Sequence, residues 1–235
     1  MIRNIGDRVV LVGVAHVFPE SRAEVREVIE RENPEVVAVE LCRSRYLELL
    51  RDSDDRKSTE TGFSTTALFA KVLNYFQERI GKQTGMMPGE EMLAAVQKAE
   101  EVEAEVSLID RDISLTLQRL LDKMSVWDKL KIAIQLLFSF FYKGEELKYE
   151  DLNEEEMIDK LIEALRETSE PAYEVLIEER NVYMAERISE LLSSRNGKIV
   201  CVVGAGHLRG LEEEIDRRWD ESADVWSDLE FEWTI

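Results

Sequence analysis

Four short runs of β-branched and apolar residues limit what this chain can fold into. They are Arg8–Val14 (RVVLVGV), Val36–Leu41 (VVAVEL), Val106–Ile109 (VSLI) and Lys198–Val203 (KIVCVV). Each has the length and composition of a buried strand, and residues at helical spacing separate it from the next. Between the first two, Ser21 with Glu24 makes a capping-box pattern, Val25, Val28 and Ile29 recur on one helical face, and Asn33-Pro34 stops the helix. A strand–helix–strand unit this short requires a parallel pair with a right-handed crossover. The expected fold is therefore α/β, with a central, mainly parallel sheet of four to five strands flanked by many helices.

Further helices are predicted over Ser44–Leu50, Thr65–Ile80, Glu90–Glu101, Ser114–Lys123, Val126–Tyr142, Glu154–Thr168 and Ala172–Ser193. Polar loops fall at Asp52–Thr61 and Lys82–Gly89. Pro171 suits the first turn of the last of these helices, and Asn196-Gly197 ends it. The fourth strand leads through Gly204-Ala205-Gly206-His207 into a helix over Leu208–Arg217. The alternating tail, Ala223–Ile235, reads as an edge strand. This pattern describes one domain over residues 1–235 with a helical insertion near 112–195.

Charge narrows the function. The formal net charge is −20, with 50 acidic against 30 basic residues. That balance speaks against nucleic-acid binding, which needs clustered Lys and Arg, and against anionic membrane surfaces. The two cysteines are Cys42 and Cys201, the latter inside an apolar run where it reads as a small buried hydrophobe. So few cysteines in a chain this long make no disulfide scaffold, and a reducing cytosol is expected. The N-terminus shows no signal-peptide pattern. The most apolar stretch, Leu130–Tyr142, is broken by Lys131, Gln135 and Ser139. It reads as a buried helix, or as a helix that docks on a membrane or a partner. A homodimer is compatible with this reading.

In a parallel sheet, ligands bind beyond the carboxyl ends of the strands. A polar residue stands at or just after the end of each predicted strand: His16, Glu40, Asp110 and His207. If the strands are parallel neighbours, all four share one rim. His16 and His207 are the only histidines of the chain and sit in similar settings, GVAH and GAGH. Imidazole nitrogen and carboxylate oxygen together suit a divalent ion such as Zn, Mn, Co or Fe, so His16, Glu40 and His207 are the candidate ligands. Two alternatives stay open. The histidines can act as acid and base without metal, oriented by Glu40. Glu40 can also be a buried partner of Arg45 or another arginine, and Asp110 a simple helix cap. The spacing Gly204-x-Gly206-x-x-x-Gly210 is not that of a dinucleotide turn.

These residues resemble a family. Gly13-Val14-Ala15-His16-Val17, Val39-Glu40-Leu41 with Arg45-Tyr46, and Gly204-Ala205-Gly206-His207 look like the TraB/PrgY family, which is related to the Tiki proteases. Pro88-Gly89-Glu90-Glu91-Met92, Ile109-Asp110-Arg111-Asp112 and Glu179-Arg180-Asn181 with Met184-Ala185 also fit its pattern. The resemblance implies a fold of the erythromycin esterase/ChaN type. It implies either metal-dependent hydrolysis of a peptide or inactivation of a peptide pheromone. A non-catalytic protein that binds a peptide or small ligand on the same scaffold remains an alternative. Carried over by residue, His16, Glu40 and His207 are central, and Arg45, Glu90, Glu91, Asp110 and Arg180 are polar partners. Family members often carry membrane-spanning helices after this domain. The expected location is thus the cytoplasm, or the soluble part of a membrane-anchored protein, with membrane contact only through Leu130–Tyr142 or segments after Ile235.

Overall fold

The strands β1 (Ile2–Ile5), β2 (Val9–Val14), β3 (Val36–Val39), β4 (Glu105–Leu108) and β5 (Ile199–Gly204) form one sheet in the order β1-β2-β5-β3-β4. The pairs β2·β5, β5·β3 and β3·β4 are parallel, and only β1 runs antiparallel, to β2. This is a computed structural model, and it describes residues 1–14, 20–50, 89–125, 127–128 and 154–231. His16, the predicted helices over Thr65–Ile80 and nearly all of Val126–Tyr142, and the loop at Asp52–Thr61 lie outside the described residues.

Alternation along the strands divides the core into two layers. Val9, Leu11, Val36, Ala38, Ile199, Cys201 and Val203 face one side, where they meet Met184, Ala185 and Ile188 and then Leu208, Leu211 and Ile215. Val10, Val12, Val37, Val39, Val200 and Val202 face the other, against Val25, Val28, Ile29 and Met92, Ala95, Val96, Ala99. Strands buried on both faces read as continuous apolar runs, which is why these segments carry so little polar alternation. Every β5 side chain from Ile199 to Val203 is fully buried. Each contributes on the order of 1.5–3 kcal/mol of apolar burial.

The helices on the second face are α1 (Glu20–Glu32) and α3 (Glu90–Glu101). On the first face lie α7 (Glu179–Ser194) and α8 (Leu208–Phe231). Shorter or outlying helices are α2 (Arg43–Leu49), α4 (Ile113–Lys123), α5 (Glu154–Thr168) and α6 (Glu170–Tyr173). Between α6 and α7 the chain makes one π-helical turn, Glu174–Glu178, and between β5 and α8 one 3₁₀ turn, Ala205–His207. Among the described residues, no helix is long and apolar enough to cross a membrane.

The four predicted strands and the helices over 90–101 and 154–168 lie where the pattern put them. The end of α1 also follows the sequence. Asn33 adopts φ 43°, its N–H reaches the Ile29 carbonyl at 3.0 Å, and Pro34 follows.

Three expectations are corrected. Ser21 lies inside the first turn of α1, which begins at Glu20, so it is not a cap. Residues 223–231 are helical, a continuation of α8, and not an edge strand. The edges are β4 and β1, and β1 is absent from the prediction because Arg3 and Asn4 interrupt its apolar character. It is joined to β2 by a tight turn in which Gly6 takes φ 56° and leaves room for the Trp219 ring, 3.3 Å from where a Cβ would stand.

Candidate functional site

The topology makes a crevice at one place. The chain leaves β5 for α8 on one face of the sheet, whereas the strands beside it, β2 and β3, feed helices on the opposite face. Connections that diverge beyond the carboxyl ends of adjacent strands open a cleft there. Glu40 follows β3, Asp110 follows β4 and His207 follows β5, so three of the four rim residues come to this edge.

Arg180, in the first turn of α7, ties them together. Its Nε donates to Asp110 Oδ1 at 3.1 Å and its Nη2 to Asp110 Oδ2 at 2.8 Å. Nη2 also donates to Glu40 Oε1, and Nη1 donates to His207 Nε2 at 2.9 Å and to the Leu176 carbonyl at 3.2 Å. All five N–H groups of the guanidinium are thereby used. The second Glu40 oxygen accepts the Gly204 N–H. This is the role of that glycine position, and no phosphate turn is formed.

These contacts fix the tautomer of His207. Because Nη1 of arginine only donates, Nε2 must accept, and the ring proton sits on Nδ1. Nδ1 then donates to Asn181 Oδ1 at 2.7 Å. Asn181 is 4% exposed, its amide packed where Gly210 leaves space that a Cβ would fill. The ring of His207 is itself buried, with Nε2 3.4 Å from Glu40 Oε1.

Electrostatics follow from this packing. Burial, and next the pull of Glu40 set against the push of Arg180, leave the His207 pKa below its ordinary 6.5, so the ring is neutral near pH 7. Burial disfavours a charged Glu40. A protonated His207, Arg180 and the Gly204 N–H favour it, and the balance holds the carboxyl at about 2. With His207 neutral, Arg180 is the charge that Glu40 feels. For Arg180 burial is likewise opposed by Glu40 and Asp110, which hold it firmly protonated. Two carboxylates thus face one guanidinium.

The π turn that precedes α7 aims Arg180. Its free carbonyls are taken by arginines: Val175 O by Arg111 Nη2 at 2.7 Å, and Leu176 O by Arg180. Arg111 also bonds Thr116 Oγ1 and Glu179 Oε2. Glu179, bonded most strongly by Arg119 and then by Arg111 and Lys123, is held at about 2. Single π turns inside helices recur at functional sites.

The remaining predicted residues fall around this cluster. Arg45 bonds Glu48 at 2.7 Å within α2, and Glu40 is paired with Arg180 instead. Asp110 does not cap α4, because Asp112 does, accepting the Ser114 N–H at 2.8 Å. Glu90 opens α3, and Glu91 in the same turn is fully buried. Arg111, Asn181 and the Gly204 N–H carry contacts that the sequence reading gave no role. For Asn181 a signal existed: it lies on the helical face of Met184, Ala185 and Ile188, all buried, where a polar residue needs a partner.

Among the described residues no three His, Cys, Asp or Glu side chains gather as a metal-ligand set. Two donors of the right kind do converge, His207 Nε2 and Glu40 Oε1, with Asn181 orienting the imidazole as metal-ligating histidines require. The donor chemistry fits a divalent ion, with the third expected donor, His16, outside the described residues. The guanidinium of Arg180 now takes both acceptors.

Comparison with known proteins places the chain. It is 38% identical over 208 residues to an uncharacterized protein, MJ1365, of Methanocaldococcus jannaschii, covering 86% of this chain and 51% of that one. It is 26% identical over 244 residues to the TraB domain-containing proteins of Mus musculus and Homo sapiens, covering 91% of this chain and 64% of theirs. The chain thus spans between half and two thirds of the length of these relatives. A solved structure of ChaN from Campylobacter jejuni, described for its cofacial heme binding, aligns over 88% of this chain and 76% of its own, at 10% identity and a TM-score of 0.37. A model of the TraB/PrgY/gumN family matches residues 1–217, and the chain belongs to that family.

Proposed function

We propose that the chain is a metal-dependent hydrolase of peptides whose chemistry takes place in the crevice between β5 and β3. The observation that carries this reading is the orientation of His207. A buried, neutral imidazole whose Nδ1–H is pinned to Asn181, which leaves Nε2 as an acceptor 3.4 Å from the Glu40 carboxylate, is how a protein presents a metal ligand. Glu40 and His207 would hold the ion together with His16. A divalent ion there would supply a water whose pKa is lowered to about 7.

The residues around it have separate tasks. Asn181 fixes the ring. Glu40, already ionised, needs no proton loss to act as a ligand. Were Nε2 and Oε1 to hold an ion, Arg180 would keep its contacts to Asp110 and the Leu176 carbonyl. Its N–H groups now on His207 and Glu40 would then be donors for a substrate carbonyl or carboxylate. The peptide class, and a role in inactivating a signalling peptide, rest on the family resemblance. A metal-free reaction with His207 as base is less favoured, since Arg180 covers its lone pair and the lowered pKa makes it a weak base.

The test is calorimetric titration with Mn²⁺, Co²⁺ and Zn²⁺, paired with cleavage of a quenched-fluorescent peptide library. One ion per chain is expected, with cleavage abolished by chelation and restored by add-back. Both are lost in His207→Ala and Glu40→Gln. Cleavage that persists in chelator and survives His207→Ala overturns the proposal.

A further inference from the structure

At the amino ends of the strands, the far side of the sheet from His207, a cavity of about 440 Å³ opens between the end of α7, the middle of α8 and the start of β2. Its volume is within the range of small-molecule sites. Arg8 and Arg218 both line it. The Nε of each is buried and has no hydrogen-bond partner among the described residues. Neither guanidinium forms an ion pair with a carboxylate among them. In a chain with 50 acidic and 30 basic residues, two arginines lining one cavity with no acid among its described lining residues are unusual. A buried donor left unmet is costly, and such groups commonly mark an absent partner.

The rest of the wall says what that partner looks like. Arg8 uses only Nη2, which caps the end of α7 through the carbonyls of Leu192 (3.2 Å) and Arg195. That helix end offsets part of its charge. Arg218 has one long contact, Nη2 to the Val182 carbonyl at 3.5 Å. The hydroxyls of Ser189 and Ser193 donate back to their own helix, at 2.8 and 2.9 Å, so their protons are not offered to the cavity. Leu192, Ile215 and the Trp219 ring supply an apolar side.

We infer that this cavity binds a small amphipathic oxyanion, one phosphate or carboxylate group carried on an apolar body, at a place separate from the β5–β3 crevice. The two guanidinium groups take the oxyanion, and the Leu, Ile and Trp side chains take the body.

Calorimetry and thermal-shift measurements on the full chain test this, with phenyl phosphate, benzoate, inorganic phosphate and benzyl alcohol as probes. Saturable binding of phenyl phosphate or benzoate, one per chain, with a raised midpoint is expected, and the stronger of the two tells phosphate from carboxylate. Inorganic phosphate should bind more weakly and benzyl alcohol not measurably. Arg218→Gln, which leaves the α7 cap intact, should weaken binding at least tenfold, and Arg218→Lys, which lacks Nε, should fall between. His207→Ala should bind as the parent does. Absence of saturable binding by both charged probes, equal binding of benzyl alcohol, or affinity unchanged in Arg218→Gln and Arg8→Gln each overturn the inference; buried water would then be what meets the two Nε groups.

Discussion

Arg180 and Arg8 stand at opposite ends of the same helix, α7, the first within its opening turn and the second on its closing carbonyls, and the two are treated in opposite ways. Arg180 has every N–H taken, by two carboxylates, an imidazole and a carbonyl, all from this chain. Arg8 spends one nitrogen on the helix end, keeps a buried Nε without a hydrogen-bond partner, and lines with Arg218 a cavity that has no acid among its described lining residues. At the carboxyl rim the protein supplies the countercharges, and the arginine serves to organise Glu40, Asp110 and His207. At the amino end no carboxylate among the described residues pairs with Arg8 or Arg218, and the inferred ligand would supply the countercharge. A guanidinium that organises and one that receives are told apart by where their hydrogen bonds end.

The largest effect that separates the two ends is on stability. Arg180→Ala strands the Glu40 and Asp110 carboxylates without their partner. It should cost about 3–5 kcal/mol in urea unfolding at pH 7. Arg8→Ala loses two carbonyl contacts and should cost only about 1–2 kcal/mol. Equal losses would break the comparison. Next comes the support of His207: Asn181→Ala frees the ring and should weaken divalent-ion binding about 10–100-fold. Gly210→Ala, which pushes on the Asn181 amide, should shift binding in the same direction and cost about 1–3 kcal/mol of stability.

The pH dependence sharpens the same contrast. His207 has a depressed pKa in the fold, so its contribution is full above 6.5 and is lost as pH falls below it. Glu40 and Glu179, held at about 2 against an ordinary 4.5, add stability above 4.5 that is lost as pH falls toward 2. The thermal midpoint should therefore decline in two stages, the first absent in His207→Gln and the second reduced in Glu40→Gln. A midpoint that holds level from pH 7 to 5 contradicts the buried neutral ring. The smallest effect belongs to Arg218→Gln, expected to move stability by less than about 0.5 kcal/mol while changing anion binding.

Much of the rim was legible because one topological rule does most of the placing. Once VVAVEL, VSLI and KIVCVV are read as parallel strands, Glu40, Asp110 and His207 must share an edge. What binds them to one another was legible only in part: the resemblance named Arg180 as a polar partner but not its contacts, and gave Asn181 no role. Arg180 and Asn181 sit on a helix whose entry is a π turn, and that turn depends on Arg111 reaching Val175 from a distant segment. No local pattern encodes such a contact. Gly204 and Gly210 were read as a poor phosphate turn, whereas they serve Glu40 and Asn181. The tail misled because Val225, Trp226 and Leu229 satisfy helical spacing as well as alternation, and continuation of α8 decided between them.

The central claim is that the two imidazoles and Glu40 share one ion. Having only two histidines, the chain gives a direct measurement: NMR of protein labelled with ¹⁵N-histidine, titrated with Zn²⁺ at pH 7. The account predicts an Nδ1–H tautomer for His207 from the start, then shifts at both His16 and His207 that advance together and end at one equivalent. A response from a single ring, or none at either, would contradict it.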